Sequence, residues 1–91
     1  MTEQADISIK GRVQGIFFRA QSREKARELG LSGWVKNEAD GSVTACVQGP
    51  RKAQEEFVTW CRQGPPGAKV EDVKVTYTDS ATKILTGFTI L

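Results

Sequence analysis

The chain contains no histidine and only two cysteines, Cys46 and Cys61, and these shortages remove whole classes of chemistry. Without histidine there is no Cys₂His₂ zinc site and no Ser–His or Cys–His nucleophile pair. Both cysteines have apolar sequence neighbours and read as buried free thiols, with no part in function. No apolar run approaches the ~18 residues a membrane span needs, and the start, Met1 to Asp6, is polar without an apolar signal core. The chain is therefore expected in the cytoplasm, away from membranes. An excess of one charge is missing too. Thirteen Lys and Arg stand against 11 Asp and Glu, a net +2, which argues against a nucleic-acid domain built on a strong positive field. At 91 residues, the chain reads as one domain, 1–91, without linker or internal repeat, and as a monomer.

What is present concentrates between Gly11 and Arg19, in the run Gly-Arg-Val-Gln-Gly-Ile-Phe-Phe-Arg. Ile7, Ile9, Gly11 and Val13 alternate with polar residues, the period of a strand with one buried face. Glycines at 11 and 15 then let the chain bend without a Cβ penalty, directly before a charged helical pattern. A bend of this kind converges backbone N–H groups at the positive end of a helix, which suits a phosphate. Gln14, Gly15, Ile16, Phe17, Phe18 and Arg19 form that candidate cradle, and the Arg19 guanidinium can grip two oxygens at once. Taken alone, Arg19 is an ordinary surface arginine and Gly15 an ordinary turn glycine. Their conjunction is what singles out the stretch.

Farther along, Ser22, Ala26 and Leu29 recur at helical spacing until Gly30 supplies a stop. Leu31, Gly33 and Val35 alternate toward Asn37, the Asp40-Gly41 pair makes a turn, and Val43, Ala45 and Val47 resume the alternation as a hairpin. A second helix follows Gly49-Pro50, with Ala53, Phe57, Trp60 and Cys61 on one stripe, and ends at Gly64-Pro65-Pro66-Gly67. Val73, Val75 and Tyr77 mark a fourth strand, Asp79 to Lys83 a polar connection, and Phe88 and Ile90 a short last strand. The order predicts an α+β, ferredoxin-like βαββαβ sandwich: a mainly antiparallel sheet, two helices on one face and a short extra C-terminal strand.

That topology bears on chemistry. A right-handed first crossover leaves strands one and two parallel with one space between them, and strand three fills it antiparallel. The carboxyl ends of strands one and two then share an edge, where ligands of open α/β sheets settle, so Arg19 and Asn37 should meet at one mouth. An arginine, a ring of amides and an asparagine offer positive potential and no base titrating near neutrality. Phosphoryl transfer to water suits such a site, because positioning and charge neutralisation do most of its catalysis. Asn37 can hold a water through its carbonyl oxygen. An acyl phosphate fits, since its carboxylate leaves without a general acid or a metal.

Ile9 to Arg19 resembles the acylphosphatase signature, in which an aliphatic residue and a glycine precede Val-Gln-Gly, an aliphatic residue, any residue, Phe and Arg. The segment from Gly33-Trp34-Val35-Lys36-Asn37 through Gly41 and Val43 to Gly49 is similar to the family's second signature, spacing included. The resemblance implies hydrolysis of carboxyl-phosphate anhydrides to a carboxylate and inorganic phosphate, with no metal and no cofactor. It also implies that the backbone from Gln14 to Arg19 wraps the phosphate, that Arg19 binds its oxygens and that Asn37 orients the attacking water. The chain departs from many members at Glu38, where a small hydroxyl residue often follows the asparagine, and at Phe88 to Leu91, in place of a frequent Arg-Tyr finish. A carboxylate at position 38 is expected to lower affinity for anions.

Two readings of another class stand beside this one. Lys10, Trp34, Lys36, Thr44, Gln48 and Lys74 are placed on the sheet face the helices leave open, a surface that can bind single-stranded RNA in ferredoxin-like domains. A single tryptophan is a thin stacking platform. The other is a phosphate-binding module that keeps the cradle without turnover.

Overall fold

The computed structural model describes residues 2–91; Met1, the first residue of the polar N-terminal stretch, lies outside the described residues. Its elements follow the expected order: β1 (Thr2–Arg12), α1 (Phe18–Glu28), β2 (Ser32–Asn37), β3 (Val43–Gln48), α2 (Arg51–Gln63), β4 (Lys69–Ala81) and β5 (Phe88–Ile90). They form one five-stranded sheet in the order β4-β1-β3-β2-β5, the βαββαβ arrangement with its added strand. β3 lies between β1 and β2 and is antiparallel to both, so β1 and β2 run parallel and end at the same edge. α1 packs over β2 and β5, and α2 over β1 and β4.

The core lies between sheet and helices. Ala5, Ile7, Ile9, Val35, Val43, Ala45 and Val47 come from the sheet, and Phe18, Ala26, Phe57, Val58 and Cys61 from the helices. Phe18 and Phe57 flank Trp60, with ring centroids 5.5 and 6.3 Å from it. The stop at Gly30 is a Schellman closure: Gly30 N–H donates to Arg27 O and Leu31 N–H to Ala26 O, with Gly30 at φ 72°.

Three features differ from the sequence reading. β1 begins at Thr2 and β4 continues to Ala81, because the two strands pair along their whole length and so carry polar ends into the ladder. Gln54 joins the buried face of α2, fully buried, with its amide nitrogen donating to the carbonyl of Gly49 just before the helix. Cys46, although its chain neighbours are apolar, stands on the open face between Asp6 and Trp34 on the flanking strands. Both thiols are free and buried, and burial is the main reason each resists ionisation, Cys46 being pushed up to about 12.

Candidate active site

The end of β1 is bent before the loop starts. Its register with β4 shifts between Lys10 and Gly11, and Gly11 sits at φ 130° so close to Lys69 that a Cβ would strike its carbonyl. The chain then reverses hand twice, with Gly15 at φ 76° and Phe17 at φ 62°. Alternation of this kind is how consecutive backbone N–H groups are turned toward one point. Among the described residues, none accepts a hydrogen bond from a backbone amide of Gln14 to Ala20. The first helical hydrogen bond runs from Gln21 N–H to Phe17 O, and the first turn of α1 contains no acidic residue. Free donors and a positive helix end with no acidic residue beside it are the features that suit an anion.

The expected meeting of Arg19 and Asn37 occurs. Both line a cleft of about 280 Å³, together with Gly15, Phe17, Ala20 and the apolar side chains of Val13, Phe18 and Ile90. Arg19 is half-buried one residue into α1; Asn37 is exposed at the last position of β2. The lining contains no Asp, Glu, Lys, Cys or His. The side chains of Gln14 to Phe18, whose backbone is the predicted contribution, go to different places. Gly15, Phe17 and Phe18 line the cleft, Ile16 packs against the core, and the Gln14 side chain turns away to donate to the carbonyls of Glu38 (2.8 Å) and Ser42 (2.9 Å). Gln14 thereby ties the loop to the turn that follows Asn37.

Two contributors escaped the sequence reading. β5 pairs parallel with β2, so its carboxyl end reaches the same edge as Arg12 and Asn37 and brings Ile90 into the lining. Leu91 N–H donates to Val35 O (2.9 Å), and Leu91 O accepts from Arg19 Nη1 (3.2 Å), which orients the guanidinium. Parallel pairing of a three-residue strand has no local signal. Glu38, by contrast, does not line the cleft. Its carboxylate accepts from Thr44 Oγ1 and pairs with Lys36 Nζ (3.7 Å) on the open face, so it is held off the cleft.

Trp34 lies on that open face, beneath Lys36 at 5.6 Å, with Asp6, Ser8, Thr44 and Lys74 nearby. No group of three or more His, Cys, Asp or Glu suited to a metal occurs among the described residues. No helix there is long and apolar enough to cross a membrane.

Comparison with known proteins shows the family and agrees with the fold. The family described as Acylphosphatase matches residues 5–90. An acylphosphatase of Rubrobacter xylanophilus is 50% identical over 74 residues, 81% of this chain and 67% of that protein. One from Roseiflexus sp. is 47% identical over 88 residues, 97% and 94% of the two chains. The crystal structure of an acylphosphatase from Bacillus subtilis superposes with a TM-score of 0.93 at 38% identity, covering 98% of each chain.

Proposed function

The chain belongs to the acylphosphatase family and carries out the hydrolysis of acyl phosphates, and we infer that it does so by direct attack of a water held by Asn37 on a phosphate cradled by the Gln14–Arg19 loop. The observation that carries this reading is the placement of unengaged loop amides, Arg19 and Asn37 around one cleft that holds no titratable base. The phosphate sits on the amides and the helix end; Arg19, steadied by Leu91 O, binds its oxygens and neutralises charge in the transition state. The Asn37 side chain, exposed and without a hydrogen bond to another described residue, orients the water. The P–O bond to the acyl group breaks as the water oxygen bonds to phosphorus. The electron pair leaves with the carboxylate, and the water's protons pass to phosphate oxygens and solvent, so neither metal nor cofactor takes part. Inorganic phosphate, the second product, remains a ligand of the cradle. The reading includes one working domain that acts as a monomer in the cytoplasm on a small molecule, without nucleic acid.

Two substitutions separate the roles. Arg19→Ala should weaken phosphate binding and turnover together, whereas Asn37→Ala should lose turnover by ~100-fold or more and keep phosphate binding. Equal loss of binding in both variants would show that the two residues do not divide the work in this way.

A further inference from the structure

Phe17 is the most exposed large apolar residue in the described chain, 79% accessible, and it holds a left-handed backbone that costs a non-glycine residue roughly 1–2 kcal/mol. A side chain kept there for packing would be buried, and Phe17 has no place in the core cluster and no aromatic partner among the described residues. A residue chosen only for the turn would be Gly or Asn. Phe17 instead lines the cleft, on the loop proposed to hold the phosphate and alongside the apolar Val13, Phe18 and Ile90.

We propose that the Phe17 ring is the contact for the acyl half of the substrate and selects acyl phosphates with aromatic or bulky apolar acyl groups over small ones; this rests on the hydrolysis described above. An acyl phosphate has two unlike ends. The dianion is satisfied by amides and Arg19, while an apolar acyl group projecting from the cradle needs apolar surface at the rim. A ring held by the loop itself supplies that surface at a fixed distance from the phosphorus, and an offset-stacked or edge-on aromatic contact rewards an aromatic acyl group more than a methyl group. The contact exists equally before and during P–O cleavage, so it acts on KM and leaves kcat to the cradle.

The test compares benzoyl phosphate with acetyl phosphate in the unmodified chain, in Phe17→Asn and in Phe17→Tyr. Asn accepts the left-handed backbone and removes the ring; Tyr keeps the ring. The readout is the ratio of the two kcat/KM values, which cancels any loss common to both substrates. The ratio should favour benzoyl phosphate in the unmodified chain, fall about fivefold in Phe17→Asn through a raised KM for benzoyl phosphate, and be kept in Phe17→Tyr. An unchanged ratio in Phe17→Asn overturns the proposal while leaving hydrolysis in place. Failure of the folded unmodified chain to turn over either substrate overturns the hydrolysis itself.

Discussion

Gln14 Nε2 donates to the carbonyl oxygen of Glu38 at 2.8 Å, across 24 residues of sequence, and to that of Ser42 at 2.9 Å. One side-chain amide thus spans from the loop after β1 to the turn behind Asn37. Glu38 N–H closes the same turn onto Ser42 O (2.8 Å), so the bridge fastens a turn that already has a backbone hydrogen bond across it.

Removing the bridge should therefore damage geometry more than stability. Gln14→Ala should lower unfolding free energy by about 1–2 kcal/mol, since two half-buried carbonyls lose a donor. It should lower kcat by a larger factor than that loss predicts for an exposed site, because loop and Asn37 no longer move as one body. Chemical denaturation and steady-state kinetics on the same preparation check this; a stability loss with unchanged kcat would assign Gln14 to the scaffold only.

A second clamp holds the segment that delivers β5. Gln48, buried at the end of β3, donates to Gln4 Oε1 (2.7 Å) and Lys83 O (2.6 Å) and accepts from Leu85 N–H (2.8 Å). Gln48→Leu leaves groups of the β4–β5 connection without partners and should cost about 1–3 kcal/mol. Hydrogen exchange should rise across residues 82–87. Unaltered exchange there would mean that β5 pairing alone fixes the connection.

Much of the site is legible in the sequence because it follows from topology. The alternation of β1, the Gly30 stop and the Asp40-Gly41 turn determine which strand ends share an edge, and that placement alone brings Arg19 to Asn37. The remaining features depend on partners distant in the chain. Glu38 is drawn off the cleft by Thr44 and Lys36, which flank it on the open face. Ile90 and Leu91 enter because β5 finds β2, and a three-residue strand carries no pattern that names its neighbour. Phe17 reads as an apolar residue beside another, yet only Phe18 goes inward. Gln54 is buried against polarity, its amide directed to Gly49 O.

Burial of the two thiols links the stability of the fold to alkaline pH. Cys46 is raised from 9.0 to about 12 by burial and by the Asp6 carboxylate beside it. A folded-state value above the unfolded one means that the unfolded chain releases its proton first. The stability linked to Cys46 is thus fully present below about pH 9 and is lost progressively toward about pH 12. Cys61 is shifted in the same direction by burial. Cys46→Ala should make the fall in stability over that window shallower, as measured by denaturation at a series of pH values. An identical fall in the variant would place the alkaline transition on other groups.

The central claim is tested most directly by following the ultraviolet absorbance of benzoyl phosphate, with a strong chelator present, for the unmodified chain and for Asn37→Ala. Turnover by the unmodified chain that the substitution abolishes, in a variant that remains folded, is the predicted result. Turnover that Asn37→Ala retains would contradict the placement of the attacking water, and turnover that the chelator stops and a divalent ion restores would contradict a mechanism built on amides, Arg19 and Asn37 alone.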